Sequence, residues 1–184
     1  MSPVSDLQSR QSVALIFGGV SPEHDVSIAS AAQVAEGLRT IATRRPLDVR
    51  GVYINTEGRF VWGPVGDCTA ESVARAGRWE LETAQPEADV LDFPAAIARL
   101  AAEANVAMLM LHGPGGEDGR LQGVLDLARV PYTGSGAHAS ALALNKPYCQ
   151  AVLNAAGLPI ARSVAVGPGG ADLDQIIHTI GLPL

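Results

Sequence analysis

The sequence predicts an α/β fold, a parallel sheet with helices on both faces, and three observations carry that prediction. Val13 to Phe17 is a short apolar run stopped by Gly18-Gly19 and followed by apolar residues at helical spacing, the first half of a β-α-β unit. Short apolar runs and helical patterns then alternate as far as about residue 133, as they do in a parallel sheet packed between helices. Finally, Val106 to Leu111 runs apolar into His112 and the turn Gly113-Pro114-Gly115-Gly116-Glu117-Asp118-Gly119. That places ionisable groups at the carboxyl edge of the sheet, where open α/β sheets bind ligands.

The elements follow in order. Residues 1–12 are polar and read as a loose arm. The strand 13–17 ends at the two glycines, and Ser21-Pro22 signals a helix start, since proline tolerates the first helical turn. Ala31, Val34, Leu38 and Ile41 give that helix its apolar face. Asp48 to Ile54 reads as the second strand. Asn55-Thr56-Glu57-Gly58 is a turn, and Arg59 to Trp62 pairs back as a hairpin strand. Residues 63–90 carry proline, glycine and scattered charge and read as irregular. A helix over 93–104, entered through Asp92 and Pro94, shows Ile97, Leu100, Ala101 and Ala104 on one face.

The strand 106–111 leads through the loop 112–118 to a helix over 119–128. Val130 to Thr133 is a short strand before Gly134-Ser135-Gly136. Helices follow over 137–143 and 146–156, the second closed by Gly157 with Pro159 beyond it. Ile160 to Val166 reads as a strand, Gly167 to Gly170 as a turn, and Asp172 to Ile180 as a helix with Leu173, Ile176, Ile177 and Ile180 on one face. Residues 181–184 read as the entry to another strand. A boundary between two units falls near 133–145.

Composition narrows the function. In 184 residues, 47% are hydrophobic and 17% charged, so the chain packs a core rather than staying disordered. The net charge of −6 leaves no basic face for phosphates, so nucleic acid is not an expected partner. Cys68 and Cys149 lack metal-ligand spacing, no metal site is predicted, and a reducing compartment is the default. Cys149 reads as a buried helix residue. The first twelve residues lack the apolar core of a signal peptide, and no apolar run reaches the length of a membrane span. The expectation is a soluble, cytoplasmic protein with no membrane partner.

Several residues are candidates for chemistry. Gly18-Gly19 lets a backbone approach a ligand closely, and the next helix start presents unpaired N–H groups that favour an anion. Glu23, His24 and Asp25 sit at that helix start, where acids either complement the helix dipole or face a ligand. His112 ends a buried strand, as a core histidine satisfied by a carbonyl or as a site residue. Glu117 and Asp118 either hold the loop and cap the next helix or form an acid–base pair. Gly134-Ser135-Gly136-Ala137-His138-Ala139 matches a loose dinucleotide fingerprint, but the next strand ends without the acid that binds a ribose, which argues against a nicotinamide cofactor. Lys146 is the single lysine beside twelve arginines, and no glycine-rich phosphate loop precedes it.

Three stretches taken together are similar to the N-terminal part of the D-alanine–D-alanine ligases. They are VALIFGGVSPEHDVSIASA (13–31), LHGPGGEDGRLQGVLDLARVPYTGSGAHASALALNKP (111–147) and AGLPIARSVAV (156–166), and GVYINTEGRFVWG (51–63) fits the same family. The resemblance implies a Rossmann-like substrate domain over 13–133 and the start of an ATP-grasp domain over 134–184. It implies an enzyme that uses ATP and magnesium to join two D-alanines through an acyl phosphate for peptidoglycan precursors. By resemblance Glu23 binds the ammonium of the first D-alanine and is the catalytic-site acid. His112 lies beside that substrate, Val26 offers a backbone contact to its carboxylate, and Lys146 meets the ATP phosphates. Glu117 and Asp118 become loop-holders. The family's usual Asp-Lys is Asn145-Lys146 here. The metal-binding acids of the family fall beyond residue 184, so residues 1–184 alone are expected to be inactive. The resemblance further implies a homodimer through the N-terminal domain. Relatives that join D-alanine to D-lactate or D-serine, and a non-catalytic substrate-binding or dimerisation module, are the alternatives.

Overall fold

The computed structural model of the protein describes residues 11–64, 89–170 and 172–181. The chain divides into two compact units, Met1–Ala141 and Leu142–Leu184. The first unit is built on five strands. In chain order its elements are β1 (Gln11–Gly18), α1 (His24–Ala42), β2 (Leu47–Ile54), β3 (Phe60–Pro64), β4 (Asp89–Leu91), α2 (Phe93–Glu103), β5 (Val106–Leu109) and α3 (Arg120–Leu127). The sheet order is β4-β3-β2-β1-β5. β1 pairs in parallel with β2 and with β5, while β3 and β4 add antiparallel strands at one edge.

β1 sits at the centre of the parallel part and is buried on both faces, which is why it reads as a continuous apolar run. Its side chains alternate. Ala14 and Ile16 join Val52, Phe60, Trp62, Leu100, Leu121 and Leu125 on the face covered by α2 and α3. Leu15 and Phe17 join Ile28, Ala31, Ala32, Ala35, Tyr53 and Val61 under α1. Both faces of the sheet therefore carry helices.

Several expectations shift. β1 takes in Gln11 and Ser12 from the supposed arm, because the Gln11 N–H donates to the Pro46 carbonyl at 2.9 Å; residues 1–10 lie outside the described residues. The stretch 63–90 lies mostly outside them too, but its ends belong to β3 and β4. α1 starts at His24, not at Ser21-Pro22, because the Ser21 carbonyl accepts the His24 N–H at 3.1 Å and closes a turn before the helix. Ile41 is 47% exposed, and α1 instead buries Ser27, Ile28, Ala31, Ala32, Ala35 and Leu38. On α2 the buried face includes Ala96 where Ala101 was expected; Ala101 is exposed. Val130 to Thr133 makes a single bridge to Ala107, since Pro131 has no N–H to continue the ladder. The Thr133 hydroxyl takes the Leu109 N–H instead, at 3.1 Å.

α2 begins on a side-chain cap. Asp92 is extended and its Oδ1 accepts the Ala95 N–H at 2.9 Å, with Pro94 in the first turn. Asp92→Ala removes that acceptor and is expected to lower stability by about 1 kcal/mol, read from the urea unfolding midpoint at unchanged slope.

The second unit is helical where it is regular. α4 (Ala137–Leu144) contains the division between the units, and α5 (Lys146–Ala155) and α6 (Leu173–Ile180) follow. Asn145 caps α5, its Oδ1 accepting the Tyr148 N–H at 3.4 Å. Cys149 is half-buried rather than buried. Residues 160–166 are not a strand: no described segment pairs with them, and an extended backbone counts as a strand only when its ladder is made. Residues 182–184 lie outside the described residues.

Candidate functional site

The site grows from the end of β1. Gly18 and Gly19 have φ of +88° and +100°, values that side chains with a β-carbon rarely adopt. At Gly18 a β-carbon would also collide with the Ile54 carbonyl and come within 2.8 Å of the Tyr53 ring. The turn they make carries the chain off the sheet and into Ser21-Pro22-Glu23.

Ser27 fixes this turn from below. It is fully buried, its Oγ accepts the Gly18 N–H at 2.8 Å and donates to the Met110 carbonyl at 2.6 Å. One hydroxyl thus joins the ends of β1 and β5 to the first turn of α1. His24 fixes the turn from the side. Its Nδ1 lies 2.5 Å from the Gly19 carbonyl and its Nε2 lies 3.0 Å from the Tyr53 hydroxyl. A carbonyl only accepts, so Nδ1 carries a hydrogen. His24 is thereby engaged in holding the loop rather than facing a ligand.

Glu23 occupies the N-cap position of α1, yet its carboxylate makes no cap bond. The residue is exposed. Its carboxylate lies over Gly113, so close that a β-carbon there would overlap Glu23 Oε2 and stand 2.6 Å from Ser21 Oγ. The α1 start and the loop after β5 therefore meet at a bare Cα. Among the described residues the N–H groups of Asp25 and Val26, in the first turn of α1, have no partner.

The loop after β5 is closed by its own acids. Glu117 Oε2 accepts the Gly113 N–H at 2.8 Å, and Asp118 Oδ2 accepts the Gly115 N–H at 2.8 Å. Asp118 Oδ1 also takes the Arg120 N–H at 3.1 Å. Gln122 is buried below and donates to the Gly116 carbonyl at 2.7 Å. Both carboxylates accept loop amide N–H groups and so tie the loop backbone together.

His112 stands between the two loops, half-buried, with Nε2 3.1 Å from the Ser30 hydroxyl. Beside it opens a cavity of about 260 Å³, walled by Ile54, Phe60, Phe93, Leu111, His112 and Val124. Its walls are mostly apolar, and Phe60 and Phe93 meet edge to face at 5.8 Å.

The structure thus brings Glu23, Val26, His112, Glu117 and Asp118 to one edge of the first unit. Lys146 belongs to the second unit, exposed at the first position of α5. Asparagine and aspartate are nearly equal as N-caps, so Asn145 performs the capping that an acid there would. Sequence reasoning passed over Ser27 and Ser30. Their only sequence signal is position, in the first turns of a helix that starts beside Glu23. Among the described residues no group of three metal-ligating side chains exists, and no helix is long and apolar enough to cross a membrane.

Comparisons with known proteins give this edge a context. Residues 12–135 match the family described as D-ala D-ala ligase N-terminus. The chain is 43% identical, over 83% of its length, to a D-alanine–D-alanine ligase of Synechococcus sp. strain RCC307, of which it covers 42%. It is 36% identical, over 95% of its length, to the D-alanine–D-alanine ligase of Mycolicibacterium smegmatis, of which it covers 49%. Among solved structures, the D-alanine–D-alanine ligase of Coxiella burnetii aligns with a TM-score of 0.64 at 24% identity, over 88% of this chain and 46% of that one. The VanG D-Ala:D-Ser ligase of Enterococcus faecalis aligns with a TM-score of 0.67 at 24% identity, over 85% and 45%. The chain spans about half the length of the relatives it matches.

Proposed function

The chain belongs to the D-alanine–D-alanine ligase family, matching its N-terminal domain, and from that membership we propose that it holds the first D-alanine of an ATP-dependent D-alanine–D-alanine ligase. One observation carries the reading: the uncapped Glu23 carboxylate over Gly113, beside His112 and the open first turn of α1. A free amino acid is a zwitterion. Glu23 offers the charge that an ammonium pairs with. The unpaired Asp25 and Val26 amides, at the positive end of α1, offer what a carboxylate needs. An α-amino acid carries these two charges one carbon apart, and α1 presents their complements within its first turn.

In the proposed reaction the carboxylate of this D-alanine takes the terminal phosphoryl group of ATP, with ADP leaving. The amine of a second D-alanine then attacks the acyl carbon and phosphate leaves. Lys146 is the proposed contact to the ATP phosphates, a task suited to an ammonium point charge. The contribution proposed for the described residues is binding and orientation of the first substrate. Residues 1–184 by themselves are proposed to bind D-alanine and not to turn over ATP. A cytoplasmic location and a homodimer through the N-terminal domain complete the proposal, both from the family.

Calorimetric titration of 1–184 with D-alanine tests it. The expected result is specific binding with Kd on the order of millimolar. Glu23→Gln keeps the shape and removes the charge, so binding is expected to weaken about tenfold. Equal affinity in the two proteins would refute the role of Glu23.

A further inference from the structure

We propose that Ser30 is a positioning residue that fixes the tautomer of His112, leaving its Nδ1 as a hydrogen-bond acceptor on the site side. The Ser30 Oγ lies 2.9 Å from the Val26 carbonyl, one helical turn back, and 3.1 Å from His112 Nε2. A hydroxyl has one hydrogen and two lone pairs. The Val26 carbonyl only accepts, so the Ser30 hydrogen is directed to it. In the proposed arrangement the remaining contact is made by a lone pair of Ser30, and His112 Nε2 brings the hydrogen. In the neutral ring a hydrogen on Nε2 leaves none on Nδ1. Nδ1 has no partner among the described residues, and His112 lines the cavity with Leu111, Pro114 and Gly115.

The consequence is chemical. A neutral His112 held this way meets its ligand as an acceptor, so the group it faces is an N–H or O–H donor, such as an ammonium or amine, and not a carboxylate. Ser30 passes no proton in this arrangement; its carbonyl partner anchors it to α1. The same first turn that offers Val26 N–H to a ligand thereby sets the polarity of His112 through the Val26 carbonyl. The tautomer assignment stands on the hydrogen bonds alone, whereas the identity of the donor rests on the function proposed above.

The test is nitrogen-15 NMR of the imidazole rings in the full 184-residue chain at about pH 9, above the ordinary imidazole range. His112 is assigned among the four histidines by its loss in His112→Gln. The wild-type protein is expected to show Nε2 as the protonated nitrogen and Nδ1 as the bare one. In Ser30→Ala, which suits a helix interior, the two shifts are expected to move toward each other as both tautomers become populated. Ser30→Thr keeps a hydroxyl able to bond the carbonyl one turn back and is expected to restore the wild-type pattern. Overlaid amide spectra confirm that each variant is folded. A protonated Nδ1 in the wild type, or shifts that Ser30→Ala leaves unmoved, would overturn the assignment. D-Alanine titration supplies the second arm, in which Ser30→Ala is expected to weaken binding about threefold to tenfold. If the tautomer shifts as expected while the wild-type chain fails to bind D-alanine, the substrate reading falls and the role of Ser30 stands.

Discussion

Gly113→Ala is expected to weaken D-alanine binding by more than about tenfold, and to do so more strongly than neutralising Glu23 itself. The reason is positional. The Glu23 carboxylate lies where a β-carbon of residue 113 would be, and Ser21 Oγ stands 2.6 Å from the same point. Glu23 Oε2 is the end of a flexible side chain and yields, and the buried Ser21 Oγ must give way as well. The stability cost then comes mainly from holding alanine at φ +69°, about 1 kcal/mol. Glu23→Gln removes the charge but leaves an amide oxygen in place, whereas Gly113→Ala moves the whole group. The pair of measurements separates effects: a modest fall in the unfolding midpoint against a large loss of affinity. A Gly113→Ala protein that binds D-alanine like the wild type would show that Glu23 does not act from above Gly113.

Ser27→Ala has the largest expected effect on stability, about 2–4 kcal/mol, from urea unfolding. Its hydroxyl serves Gly18 N–H and the Met110 carbonyl together, at 2.8 and 2.6 Å, and Ser27 is fully buried. Alanine leaves the buried Gly18 N–H and the part-buried Met110 carbonyl without this partner, at the cost of an unmet polar group. The loss also frees the Gly18-Gly19 turn from α1, so D-alanine binding is expected to fall with stability. A cost below about 0.5 kcal/mol would mean that the two backbone groups find other partners.

Most of the frame was legible because local signals and burial agree there. The apolar run 13–17 before two glycines becomes β1, and Asn55 to Gly58 makes the hairpin turn, with Asn55 Oδ1 taking the Glu57 and Arg59 N–H groups at 3.0 and 2.9 Å. The start of α1 was misread because Ser-Pro serves turns as well as helix starts, and here Ser21 accepts the Glu23 N–H at 3.2 Å in a turn. β4 was missed because three edge residues carry too little alternation to stand out from a loop. In the site, the residue types were visible but their pairings were not. His24 meets Tyr53 across 29 positions and His112 meets Ser30 across 82. Such contacts follow from the order of strands in the sheet, which periodicity does not encode. Glycines 18 and 113 were visible as turn residues, but that Gly113 makes room for a carboxylate appears only when α1 and the loop after β5 are placed together.

The most direct test of the account is an amide chemical-shift map of nitrogen-15-labelled 1–184 titrated with D-alanine, with L-alanine as the reference. The account predicts that D-alanine moves the amides of Gly19 to Val26 and of Gly113 to Gly116 together, along one binding curve, while L-alanine moves them far less. Shifts confined to other parts of the chain, or equal responses to the two enantiomers, would contradict it.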